Sequence, residues 1–222
     1  MSGCGVGRAE NGCGMRRALG RASLHGTPLL IAISAFLAAC TAAPLPYPDQ
    51  IQKWRADKDA FMRESPQSPV PAAQRATFAP LVYFPIDPSF RTPAALEDLA
   101  DGPPIDMPTS TGQIRKMRRV GRLSFTLKGR PFTLSAFVEA DETDMRRLFV
   151  PFRDLTNGTE TYQGGRYLDL DRTATGVYDL DFNKAYHPFC YYNASYDCPI
   201  PPSENRLTIA VRAGEKLAAS QR

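Results

Sequence analysis

The chain has 222 residues, 43 % of them hydrophobic, and a formal charge of +4, enough for one domain with a true core. Residues 1–39 hold Arg8, Arg16, Arg17 and Arg21 against Glu10, so residues 40–222 keep only +1 of that +4. A body so close to neutral gives no electrostatic case for nucleic acid.

The arginines at 16, 17 and 21 precede an apolar run from Pro28 to Leu37. The run is too short to span a bilayer and has the length of a signal-peptide core. It ends in Leu37-Ala38-Ala39-Cys40, small residues that can lie extended in a peptidase cleft before a thiol that can take a lipid. The arrangement resembles the bacterial lipoprotein signal; an ordinary secretory signal is the plainer alternative. Residues 1–39 are therefore expected to be removed, with Cys40 lipidated. Met15 is a better-placed start than Met1, because the first fourteen residues are rich in Gly and Cys and unlike a signal. Thr41, rather than aspartate, follows Cys40, so the expected destination is the outer membrane, facing the periplasm, if the organism has one.

Residues 40–50 read as a Pro- and Ala-rich tether, 51–217 as a single β-rich domain and 218–222 as a tail. The spacing of Ile51, Trp54, Phe61 and Met62 predicts a helix, capped by Asp49 and stopped at Ser65-Pro66, with Trp54 and Phe61 on one face. Leu81–Phe84 reads as a short strand, and Phe90–Met107, with Pro93, Pro103 and Pro104, as a loop. Gln113–Val120 alternates loosely; its basic run Arg115–Arg119 reads as strand-edge charge. Arg122–Leu127 and Phe132–Val138 alternate about a Lys128-Gly129-Arg130 turn and predict a hairpin. Strands are also expected at Arg147–Phe152, Tyr167–Leu170, Gly176–Phe182 and Leu207–Val211, with a tight turn at Asn157-Gly158. The predicted fold is mainly β, an antiparallel small barrel or sandwich with one N-terminal helix; an α+β arrangement is the alternative.

The stretch from Tyr178 to Glu215 holds the only histidine and the only cysteine pair of residues 41–222. His187 would have to serve any Ser–His or Cys–His catalysis, yet no Gly-x-Ser-x-Gly elbow is present and a loop hydrogen bond explains it as well. Arg166 and Tyr162, beside Gly164-Gly165, could face an anionic or polar ligand, because a guanidinium presents a planar fork of donors. The same glycines also serve a plain hairpin. Asp179 and Asp181 share a strand face, and Asp154 and Glu204 are further carboxylates.

Phe152-Arg-Asp154, Thr161-Tyr162, Gly164-Gly-Arg-Tyr-Leu168, Asp181-Phe-Asn-Lys-Ala-Tyr186, Cys190, Cys198-Pro-Ile-Pro-Pro202, Glu204-Asn-Arg-Leu207 and Ala213-Gly-Glu215 resemble the uncharacterised family known as domain of unknown function 1684. The likeness is strongest from about Phe149 to Lys216 and weaker through the Trp54 helix and Tyr83–Asp87. The family brings no activity with it. His187 departs from its pattern, which has asparagine there, and this weakens a catalytic role for the histidine.

Seven residues separate Cys190 from Cys198. After export a disulfide between them would contribute about 2–3 kcal/mol through loop entropy. A metal site with His187 and a carboxylate fits no standard zinc spacing, and unpaired thiols are the third reading. No cofactor is implied, and none is expected. Two functions remain open. One is a lipid-anchored envelope domain that binds a small polar or anionic ligand, or a partner protein of the envelope. The other is a hydrolase-like or metal-assisted enzyme. The candidate ligand residues are Tyr162, Arg166, Asp181, Asn183, Tyr186, Glu204 and Asn205.

Overall fold

A computed structural model describes residues 44–99 and 103–218. The expected signal peptide, Cys40 and the last four residues of the tail lie outside the described residues. The described part begins with helix α1, Tyr47–Glu64, which starts four residues before Ile51. Pro46 is its N-cap and Pro48 stands in the first turn, where a missing N–H costs nothing, so Asp49 lies inside the helix instead of capping it. Ser65 closes it, its N–H donating to the Phe61 carbonyl at 3.1 Å.

Seven strands follow: β1 Arg91–Asp98, β2 Ile105–Pro108, β3 Ile114–Leu127, β4 Arg130–Glu139, β5 Arg147–Phe152, β6 Arg166–Asp171 and β7 Val177–Asp181. They pair antiparallel in the order β6-β5-β4-β3-β1-β7, with β2 on the first part of β3, and make a nearly closed barrel. The mainly-β expectation with one N-terminal helix holds. The Lys128-Gly129 turn joins β3 to β4, with φ of 50° and 74° as a tight hairpin turn of this kind requires.

Several expectations fail locally, each for a tertiary reason. The supposed loop Phe90–Met107 contains β1 and β2. Pro93 is accommodated because β1 pairs there only with β7, at Asp179, and the ladder to β3 starts at Ala94. The two segments before the hairpin turn are one strand, β3, with a register shift between Arg119 and Gly121. Gly121 sits where a Cβ would fall 2.5 Å from the Leu96 side chain, so the bulge is also a point of close strand approach. Leu81–Phe84 and Leu207–Val211 are not strands. The former makes a single bridge, Tyr83 to Glu215, and the latter runs as coil tied to 153–155 by two backbone hydrogen bonds, Leu207 N–H to the Arg153 carbonyl at 2.8 Å and Leu155 N–H to the Ile209 carbonyl at 3.2 Å. The basic run is not on a free edge either. It lies between β2 and β4, where Lys116 pairs with Asp106 and Arg115 reaches Glu139.

Leu123, Phe125, Leu134, Ala136, Leu148, Val150, Phe152, Leu168 and Leu180 fill the barrel interior with Phe182, Val211 and Ala213 from the C-terminal half. A second, smaller apolar cluster forms on the opposite face of β2–β5: Met107, Met117 and Phe137, with Ile105 and Phe149 against it. Strands apolar on both faces need cover on both sides, and the cover on the second face creates the site.

Candidate functional site

Phe137, Phe149 and Tyr167 project from β4, β5 and β6 away from the barrel interior. The chain from Tyr186 to Pro199 lies over them, carrying the one-turn helix α2, Phe189–Tyr192. It is tied down at both ends. Tyr186 and Tyr167 exchange backbone hydrogen bonds at 3.0 and 2.8 Å; at the far end the Ser110 N–H donates to the Cys198 carbonyl at 2.8 Å. The Tyr167 hydroxyl, buried under this cover, donates to the Pro199 carbonyl.

The cover is incomplete and leaves a cleft of about 530 Å³. Four half-buried rings line it: Phe149, Tyr186, Phe189 and Tyr196, with the Lys58 ammonium over the Tyr186 ring at 4.0 Å from its centroid. Phe149 stands edge-on to Tyr167 with centroids 4.7 Å apart, and Phe189 edge-on to Tyr196 at 5.4 Å. The rim carries carboxylates at Glu139, Glu142, Asp144, Asp169 and Asp197, against guanidiniums at Arg115 and Arg147. Arg115 is shared between Glu139 at 3.3 Å and Asp197 at 3.6 Å. Arg147 stands 3.6 Å from Asp169, which also accepts the Tyr186 hydroxyl at 2.8 Å. Asp144 is taken by Arg146, whose Nε donates to it at 2.8 Å, so five carboxylates meet three guanidiniums.

A smaller cleft of about 270 Å³ adjoins, lined by Ser110, Arg153, Tyr162, Gln163, Cys190 and Cys198 among others; Cys198 and Pro199 belong to both walls. The two cysteines are present as free thiols, Cys190 half-buried and Cys198 buried. The Cys190 N–H donates to the Cys198 sulfur at 3.1 Å, and the Cys198 N–H to the Ser110 hydroxyl at 3.1 Å. Hydrogen bonds from the Cys198 thiol, Ser110 and Tyr162 pull the Cys190 thiol down to about 6, against its partial burial. Cys198, as the donor of that pair and itself buried, is pushed far up.

The other residues singled out from the sequence do not share a cavity. Arg166 is wholly buried. Its guanidinium pairs with Asp154 at 2.7 Å and donates to the carbonyls of Val211 at 2.7 Å, Glu215 at 3.2 Å and Ala213. It replaces a strand ladder by holding the coil 211–215 with side-chain bonds, and no donor is aimed at solvent. Asn205 is buried in the same manner. It accepts the Ser135 N–H at 2.7 Å and donates to the carbonyls of Ser135 and Pro151 at 2.9 and 2.7 Å, bridging β4 and β5 where their own ladder is a single pair. Asp181 and Asn183 do meet, at a cap. Asp181 accepts the Asn183 N–H at 2.9 Å, and both bond the Tyr47 hydroxyl, which docks the start of α1. Burial and the Asp181 carboxylate hold the Tyr47 phenol well above its ordinary value. Glu204 pairs with Arg119 at the surface. Only Tyr162, at the smaller cleft, and Tyr186, at the larger, line open space.

His187 is buried at the wall of a separate cleft, with Phe78, Leu81, Tyr191, Tyr192 and Lys216. Its Nε2 accepts the Tyr162 backbone N–H at 3.3 Å, and the His187 backbone N–H donates to Glu215 at 2.7 Å. Burial pushes the imidazole down to about 4; Arg166 and Lys58 act in the same sense and Glu215 opposes them. Glu215 is buried too. Burial alone would raise its carboxyl, but Lys58 at 2.7 Å and His187 outweigh that and hold it below the usual range. Lys58 comes from α1, so this ion pair docks the middle of the helix as Tyr47 docks its start. Among the described residues no three His, Cys, Asp or Glu side chains gather closely enough to hold a metal ion.

The sequence reading missed Phe137, Phe149, Tyr167, Arg115 and Asp169. A signal was present: Ala136–Val138 and Leu148–Phe152 are apolar at consecutive positions, as strands covered on both faces are.

A family model described as a protein of unknown function, DUF1684, matches residues 76–216. The chain belongs to the DUF1684 family. The matched span contains every strand and the lining of both clefts, while α1 precedes it. The DUF1684 domain is similar to the solution NMR structure of an uncharacterized protein from Haloarcula marismortui, at 41 % identity and a TM-score of 0.61, over 78 % of this chain and 95 % of that one. No curated protein matches. Among the described residues no helix is long and apolar enough to cross a membrane.

Proposed function

We propose that the DUF1684 domain binds a small organic cation with an aromatic or branched apolar body in the cleft beneath Tyr186–Pro199. One observation carries this reading: four half-buried rings face a cleft of about 530 Å³ whose rim has five carboxylates and two guanidiniums. Ring faces attract cations by their quadrupole, by about 0.5–2 kcal/mol each depending on desolvation. The carboxylates supply the long-range attraction. This turns the ligand expected from the sequence from polar or anionic to cationic, because Arg166, the donor fork that would have met an anion, is used inside the protein. Calorimetric titration with benzyltrimethylammonium tests it. The cation should bind, Asp169→Asn should weaken it several-fold, and benzenesulfonate of the same size should not bind. Preference for the sulfonate would overturn the reading.

On this proposal the domain works at a membrane surface, tethered through a lipid on Cys40. Support comes from the arginines at 16, 17 and 21, the apolar core and the Leu-Ala-Ala-Cys ending. Metabolic labelling with a palmitate analogue should mark the wild type and not Cys40→Ala. An unlabelled wild-type protein would remove the anchor from the proposal.

A further inference from the structure

We infer that Cys190 and Cys198 are a redox-active dithiol that exchanges with small organic disulfides, Cys190 attacking and Cys198 resolving. The inference does not depend on the cation-binding proposal. It rests on how the two thiols are placed. They touch, since the Cys190 N–H reaches the Cys198 sulfur at 3.1 Å and the thiols hydrogen-bond to one another. They differ in exposure: Cys190 is half-buried and Cys198 buried, and both line the cleft of about 270 Å³. An accessible sulfur beside a buried partner is the arrangement that reversible thiol chemistry needs.

The surroundings supply the rest. Tyr162 and Ser110 line the same cleft as Cys190 and their hydroxyls favour its thiolate, without a metal or a cationic side chain. Tyr162 is held in turn by its backbone N–H on His187 and by ring contact with Tyr191, centroids 5.4 Å apart. The Cys190 thiol at about 6 is largely ionised at neutral pH. A thiol that titrates near ambient pH is close to the best attacking group, because nucleophilicity falls as acidity rises.

The exchange balances without a further reactant. The Cys190 thiolate attacks one sulfur of a disulfide RSSR; a new S–S bond forms, the old one breaks, and RS⁻ leaves. RS⁻ takes the Cys198 proton. The Cys198 thiolate then attacks the Cys190 sulfur and expels the second RS⁻. The protein loses two electrons as its two sulfurs join, and RSSR gains them as RSH and RS⁻. The sulfurs close from hydrogen-bond contact to a bond of about 2.05 Å, across a short loop containing α2. Because Cys198 also walls the larger cleft, oxidation alters that wall.

The test uses the full-length protein and 2-hydroxyethyl disulfide, with peptide mapping under non-reducing conditions to separate these cysteines from Cys4, Cys13 and Cys40. The wild type should release two equivalents of thiol and yield a Cys190–Cys198 cross-link. Cys198→Ser should stop at a mixed disulfide on Cys190. The rate of the first attack in the wild type at pH 5.5 should be roughly 20-fold that of an ordinary peptide thiol, the gain in thiolate fraction outweighing the loss of nucleophilicity. The midpoint of the rate's pH profile should lie near 6 and move upward in Tyr162→Phe, which a merely structural tyrosine would not cause. The wild-type profile keeps the test decisive if a variant fails to fold. A Cys190–Cys198 bond that survives millimolar dithiothreitol in the folded protein would overturn the inference in favour of a structural staple. So would a Cys190 no more reactive than the peptide thiol.

Discussion

Replacing His187 by asparagine should remove most of the acid sensitivity of this fold above pH 5. The imidazole is buried between Glu215, Tyr162 and Tyr191, with Lys58 and Arg166 close enough to repel a proton, and it is held down to about 4 from 6.5. Between those values the unfolded chain takes up a proton that the folded chain refuses. Stability is therefore complete above about 6.5 and falls as the pH drops toward 4. Each pH unit descended costs about 1.4 kcal/mol, so the interval from 6.5 to 5 costs about 2 kcal/mol and the whole shift about 3 kcal/mol. Glu215 also loses stability in acid, because its folded carboxyl is held low, but only below its ordinary value of 4.5. Cys190 titrates from about 6 upward. The interval from 6 to 5 thus reports His187 with little interference. Urea unfolding at half-unit steps from pH 7 to 4.5 reads the slope directly. Asparagine can still offer an acceptor to the Tyr162 N–H, and its slope between pH 6 and 5 should be near zero. If His187→Asn keeps the wild-type slope, or the wild type is flat there, the buried neutral imidazole is wrong.

Arg166→Met should cost about 3–5 kcal/mol, because it leaves the Asp154 carboxylate buried and unpaired and frees the carbonyls of Val211, Ala213 and Glu215. Adding Asp154→Asn should recover part of that loss in a double-mutant cycle; strict additivity would contradict the pairing. Gly214→Ala should be destabilised by more than about 2 kcal/mol, since Gly214 has φ +77° and a Cβ would lie 2.4 Å from the Ala185 carbonyl oxygen. Thermal unfolding measures it, and a neutral effect would mean that the 211–215 coil is not packed as described. Lys58→Met should leave the Glu215 carboxylate without its cation and speed amide exchange along α1, Tyr47–Glu64.

The barrel was legible because β3, β4, β5, β6 and β7 carry their own patterns and the Lys128-Gly129 turn its own geometry. β1 was not, because Arg91-Thr-Pro-Ala-Ala has little intrinsic preference for a strand and becomes one through β3 and β7 on either side. Leu207–Val211 shows the reverse: a β-like pattern that Arg166 and Arg153 draw into coil through backbone and guanidinium bonds. Polar residues in the motif segments suggested a ligand site, yet Arg166, Asn205 and Asp181 are the struts of loops that lack a ladder. Their long-range partners lie 12 to 134 residues away in sequence and could not be assigned from spacing. The aromatic cleft was hidden differently. Its rings come from β5, α2 and the coil after β7, and each alone reads as ordinary core.

The most direct measurement on the binding account is the set of intermolecular NOEs between the methyl protons of benzyltrimethylammonium and the protein's aromatic protons. The account predicts contacts to Phe149, Tyr186, Phe189 and Tyr196, the rings that face the cleft beneath Asp169 and Glu139. NOEs confined to other rings, or none from those four while the cation is bound, would contradict it.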